Sequence, residues 1–96
     1  MTNRSRGAAD DMVQLRNGVY VPRRLHDELR EHIRPRLRSL KGAPRLKAKE
    51  MVAGDYYATL NPWTVGACVS HWESSGELPL RFLGCPHCSV RYYEVT

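Results

Sequence analysis

Apolar residues recur at steps of four, four, four and three through PRRLHDELREHIRPRLRSLKG, at Leu25, Leu29, Ile33, Leu37 and Leu40. That is one stripe of a 3.6-residue helix, with arginines on its other faces. Pro22 stands where a first helical residue goes, because its missing amide is not needed there. Pro35 is expected to kink or break the helix, since its ring clashes with the preceding turn. Gly42-Ala-Pro44 ends the element. A second, shorter helix is predicted over 45–53 (RLKAKEMVA), closed by Gly54 as its C′ residue. Asn61-Pro62 opens a third, with Asn as N-cap and Pro at N1. Val65, Cys68, Val69 and Trp72 give that helix a core-facing stripe, and Ser74-Ser75-Gly76 stops it.

Two stretches alternate instead. VQLRNGVYV, from Val13 to Val21, carries Asn17-Gly18 between apolar positions, which is a hairpin turn signal. Leu15, Val19 and Val21 would line that small ribbon. LPLRFLGCPHCSVRYYEV reads as two strands joined at Cys85-Pro-His-Cys88. Leu78, Leu80 and Phe82 alternate on the first strand, and Tyr92 and Tyr93 lie in the second. Residues 1–12 are small, polar and charged, and are expected to form a mobile tail. Residues 13–96 then make a single domain, with a basic helical part at 22–53 and a helix plus hairpin at 61–96. Tyr56, Tyr57 and Trp63 are expected in the core, with interface anchoring as their other use.

The composition, 42% apolar and 26% charged, is that of an ordinary globular chain. No apolar run approaches the ~20 residues of a membrane span, and MTNRSRGAADDMVQL lacks the apolar segment of a secretory signal. A cytoplasmic protein of a bacterium or its mobile elements is expected. The three cysteines, an odd number, argue against a disulfide framework.

Charge changes the picture more. The net +5 divides unevenly: residues 1–49 hold 13 Lys/Arg against 5 Asp/Glu, and residues 50–96 hold 2 against 5. Cations confined to one half form an electrostatic footprint for nucleic acid or an acidic protein surface. The plain alternative is a solvated helix face. Arg23, Arg24, Arg30, Arg34, Arg36, Arg38, Lys41, Arg45, Lys47 and Lys49 are the candidate phosphate contacts.

All three cysteines fall in a C-x₂-H…C-x₂-C pattern, Cys68-Val-Ser-His71 followed by Cys85-Pro-His-Cys88. Two such pairs can supply the four ligands of one tetrahedral, structural Zn²⁺ per chain. Gly84 and Pro86 favour the tight turn that aims two thiolates at one point. Cys68 and His71, three apart on a helix, are surface neighbours. Cys68 is equally suited to be a small buried hydrophobe, and His87 could replace His71 as a ligand. The fold class expected is therefore a small zinc-stabilised α+β domain: a short N-terminal β-ribbon, three helices and a C-terminal β-hairpin with a zinc knuckle. A thioredoxin-like use of Cys-Pro-His-Cys is set aside, because that chemistry needs the first cysteine at a helix N-terminus and here a strand follows.

From Trp63 to Cys88 the chain resembles the zinc-binding region of the flagellar master-regulator C subunits, the FlhC-type transcriptional activators. The matching positions are Trp63, Thr64, Ser75, Gly76, Leu78, Leu80, Cys85 and Cys88. Those activators carry a second C-x₂-C further on; here Cys68 and His71 would take its place. The resemblance implies DNA binding within a protein assembly.

No paired carboxylates, Ser-His-Asp set or phosphate-cradling glycine loop is visible, so an enzyme is not expected. The expected function is a small DNA-binding transcriptional regulator with structural zinc, its basic helical region on phosphate. The alternative is a phage- or plasmid-type module that docks on or inhibits a larger host complex.

Overall fold

The computed structural model describes residues 11–87 and 90–96, with the side chains of 56, 57 and 85–87 outside the description. The chain runs through β1 (Met12–Gln14), β2 (Tyr20–Pro22), α1 (Arg23–Leu40), α2 (Pro62–Ser75), β3 (Leu80–His87) and β4 (Val90–Val95). A 3₁₀ turn (Ala48–Met51) and one short helical turn (Gly54–Ala58) lie between α1 and α2. β1 pairs antiparallel with β2, and β3 with β4, as two separate two-stranded sheets.

The N-terminal ribbon forms as its turn signal requires. Val13 faces Val21, the Gly18 amide donates to the Leu15 carbonyl, and Asn17 Oδ1 accepts from the Val19 amide. Leu15 and Val21 are buried, whereas Val19 is exposed. Of the expected tail, residues 1–10 lie outside the described residues, and Met12 already opens β1.

α1 is continuous from Arg23 to Leu40 with Pro35 inside it, so the expected break does not occur. Pro35 is exposed, and the carbonyl four residues earlier that it leaves without an amide is on an exposed turn where water can bond it. The apolar stripe on the opposite face runs on past the proline: Leu29, Ile33 and Leu37 are buried on both sides of it. At the N-terminal end His26, not Leu25, is the buried member of the stripe.

The predicted fold class needs correction on two counts. The first is the number of helices longer than one turn or so, which among the described residues is two and not three. The stretch expected to be a helix over 45–53 starts as extended chain, with Leu46 and Tyr93 exchanging backbone hydrogen bonds at 2.9 and 2.8 Å. Pro44 also disfavours helix just before it. A tertiary strand contact satisfies Leu46 better than a local helix would, and only the 3₁₀ turn remains. Glu50 secures that turn by accepting from the Lys47 amide at 2.7 Å. The second count, the zinc, concerns the site and follows below.

α2 begins and ends as its sequence demands. Asn61 Oδ1 accepts from the Trp63 amide, Pro62 fills N1, and Gly76 closes the helix at φ 78°, a left-handed conformation natural to glycine. Val65, Cys68, Val69 and Trp72 point inward. In the C-terminal hairpin Leu80 faces Val95 and Phe82 faces Tyr93, and a bulge at Gly84 (φ 132°) shifts the register before His87 meets Val90. One core gathers the inner faces of all these elements around Trp72, which is fully buried beside Ile33, Leu37, Met51, Val65, Val69 and Tyr93. Among the described residues no helix is long and apolar enough to cross a membrane.

Candidate functional site

The candidate zinc ligands separate into two kinds of surroundings. Cys68 has no exposed surface and packs in the core; burial pushes its thiol up to about 11, so the thiolate a metal needs is disfavoured. His71 sits at the rim of α2, where its Nδ1 accepts the Arg16 backbone amide at 3.1 Å and its Nε2 lies 3.7 Å from Glu77 Oε2. That imidazole ties the N-terminal ribbon to α2. The side chains of Cys85 and His87, and all of Cys88, lie outside the described residues. Among the described residues no group of three or more His, Cys, Asp or Glu side chains could hold a metal ion. The expected zinc-stabilised fold is corrected accordingly: an apolar core and a partly buried polar cluster hold the described fold together.

We expect Cys68→Ser to lose about 1–3 kcal/mol of stability by placing a hydroxyl in an apolar site. Metal content of the purified variant should equal that of the wild type, and Cys68 should resist alkylation at neutral pH until the chain unfolds. Loss of one metal ion per chain on this substitution would return Cys68 to a ligand role.

The polar cluster, buried at His26 and Trp72 and open to solvent at its edge, joins α1, α2 and the turn after α2. Trp72 Nε1–H donates to His26 Nε2 at 2.9 Å, and His26 Nδ1 lies 2.8 Å from Asp27 Oδ1, which together place the imidazole proton on Nδ1. Arg30 Nη1 donates to Glu77 Oε1 at 2.6 Å, and Ser75 Oγ donates to Glu77 Oε2 at 2.8 Å. Burial pushes the Glu77 carboxyl up, but the hydrogen bonds from Ser75 and Arg30 outweigh it and hold the group below its ordinary range. The hydrogen bond from His26 likewise lowers Asp27, against a smaller desolvation effect. His32 is lowered by burial first and by Arg36 second, and its Nε2 accepts the Ala53 amide at 3.2 Å.

These directions fix how stability responds to acid. A group whose pKa is depressed on folding loses stabilisation as pH falls, because the unfolded chain takes up the proton first. Two limbs are expected: one below about pH 6.5 from His32, and a second below about pH 4 from Glu77 and Asp27. In melting curves across that range, His32→Gln should remove the first limb and Glu77→Gln should flatten the second. A single limb unchanged by either variant would exclude this assignment.

The arginines expected on phosphate fall into two sets. Arg24 pairs with Glu28, Arg34 with Glu31, and Arg30 with Asp27, Glu31 and Glu77. Arg36 donates to the Met51 carbonyl, and Arg23 reaches the Met12 carbonyl. In contrast, among the described residues no carboxylate lies within ion-pair distance of Arg38, Lys41, Arg45, Lys47, Lys49 or Arg91. Arg45 stacks on the Tyr92 ring at 5.6 Å, and Arg91 lies over Phe82 at 4.1 Å.

Three of these cations without a carboxylate meet at a cleft of roughly 630 Å³, walled by the 3₁₀ turn, the outer face of α2 and β4, Arg91 donating to Tyr93 Oη at 3.1 Å. Lys47, Lys49 and Arg91 line it with Asn17 and Ser70, and no acidic side chain does. Its floor on α2 is Gly66, Ala67 and Ser70, the small residues opposite the buried stripe. Trp63 stands at the same cleft with 86% of its surface exposed, which corrects the expectation of a core role. Arg91 was not anticipated, because it lies in the acidic half of the chain; only its place next to the Tyr92-Tyr93 pair, whose Tyr93 is buried, could have drawn notice. Compared with known protein families, characterised proteins and solved structures, the chain matches none of them.

Proposed function

We propose that this protein binds nucleic acid, with DNA the expected target and regulation of transcription the expected role. One observation carries the proposal: among the described residues the fold pairs part of its positive charge internally and leaves the rest without carboxylate partners, most of it on one tract. Arg38, Lys41, Arg45, Lys47 and Lys49 follow one another along the chain from the end of α1 into the 3₁₀ turn, and Arg91 joins them from β4. Cations without carboxylate partners are the ones able to release counterions from a phosphate backbone. The transcriptional role rests on the resemblance of residues 63–88 to FlhC-type activators.

Binding of the full chain to a labelled DNA, followed by fluorescence anisotropy over a salt series, tests this. With six cations engaged, log K should fall with log[salt] at a slope of about −5. A slope near zero, or no binding at low salt, would exclude it. An acidic protein surface is the second candidate partner, favoured only by the exposure of Trp63, an anchor type common at interfaces. A protein retained on the chain after nuclease treatment, with no DNA binding, would prefer that partner.

A further inference from the structure

We infer that the cleft beside Trp63 holds an unpaired base stacked on the indole, with the flanking phosphates on Lys47, Lys49 and Arg91, so that single-stranded nucleic acid is the preferred form of the ligand. This rests on the nucleic-acid reading above and specifies its substrate. A tryptophan left almost wholly in water loses the burial that normally justifies so large a ring, so its apolar face is available to a partner. Exposed aromatics set among cations are the working parts of single-strand binders, since every base has a face to stack and every nucleotide a phosphate. Among the described residues, all three cations of the cleft lack carboxylate partners, and no acid lines the cleft to repel a phosphate. The floor of Gly66, Ala67 and Ser70 leaves room for a flat ring beside the indole. A base inside an intact duplex is already stacked on its neighbours, so the indole can gain nothing from it. That is the physical source of the preference for an unpaired strand.

Two tryptophans make the test direct. Trp72 is buried and bonded to His26, so ligand-dependent quenching reports Trp63. The full chain would be titrated with oligothymidylate, with a mixed-sequence duplex and with polyglutamate, at low salt. Oligothymidylate is expected to quench the emission, and Trp63→Ala to weaken its binding roughly 5- to 150-fold while duplex binding changes less than about twofold. Gly66→Leu supplies a second variant that keeps every charge. A Cβ at Gly66 meets nothing within 4 Å, so the helix accepts the larger side chain while the cleft floor is filled. It should weaken the single strand and spare the duplex in the same way.

Single strand and duplex binding with equal, salt-dependent affinity and no effect of either variant would overturn this inference and leave the proposed function standing. Failure of both nucleic acids to bind would overturn the two together. Quenching by polyglutamate alone would make the cleft a protein-docking site and also overturn it.

Discussion

Truncating Trp72 to alanine is expected to leave much of the chain unfolded at physiological temperature. The side chain has no exposed surface and sits where α1, α2 and the C-terminal hairpin converge. Removing a buried tryptophan costs about 3–5 kcal/mol through lost transfer energy and the cavity left behind. The same change strips His26 Nε2 of the indole donor, and an unpaired polar nitrogen at 5% exposure costs about 1–3 kcal/mol more. A domain of this size holds roughly 5–15 kcal/mol in all, so the loss takes most of it. Trp72→Phe separates the two effects, because it keeps most of the ring and removes only the indole N–H. A fall in melting temperature of about 5–20 °C is expected for that variant. Urea titration of both variants checks the ranking. An alanine variant as stable as the wild type would mean that Trp72 is not the centre of the core.

Neutralising the cleft, with Lys47→Gln, Lys49→Gln and Arg91→Gln combined, is expected to reduce DNA affinity roughly a thousandfold at about 50 mM salt. The salt slope should fall by about 3, one near-unit step for each phosphate no longer neutralised. None of the three side chains is in the core, so the folded state should survive and circular dichroism should be unchanged. The informative comparison is Arg24→Gln with Arg34→Gln. Those arginines look equally suited in the sequence, but Glu28 and Glu31 already occupy them. Their removal should change the slope by well under 1 per residue. Equal slopes for the two sets of variants would return the interface to α1.

The elements that announced themselves are those whose own residues satisfy their backbones. α2 carries its cap at Asn61, its proline at N1 and its stop at Gly76, and it forms between those residues. The two hairpins follow from Asn17-Gly18 and from alternation around Leu80 and Tyr93. Residues 45–53 misled because the decisive partner, Tyr93, is distant in sequence and satisfies Leu46 as a strand. Pro35 misled in the opposite direction: its clash is local, whereas the packing of Ile33 and Leu37 that outweighs it is not. Of the candidate phosphate contacts, Lys47 and Lys49 reach the cleft, and the pairing that takes Arg24, Arg30 and Arg34 depends on the helix face that carries Glu28 and Glu31 and on the turn after α2 that brings Glu77. The burial of His26 was equally hidden, since a histidine enters a core only where a donor such as the Trp72 indole awaits it.

The Leu46–Tyr93 bridge has a kinetic meaning as well. Both hairpins and both helices join neighbours in sequence and can form early, but the bridge closes a loop across nearly half the chain and is entropically slow to make. Lys47 and Lys49 hang on one side of it and Arg91 on the other. Opening of those two hydrogen bonds would therefore separate the segment that carries Lys47 and Lys49 from the strand that carries Arg91. Hydrogen exchange at the Leu46 and Tyr93 amides would count those openings, and a ligand spanning the cleft should slow exchange at both amides together.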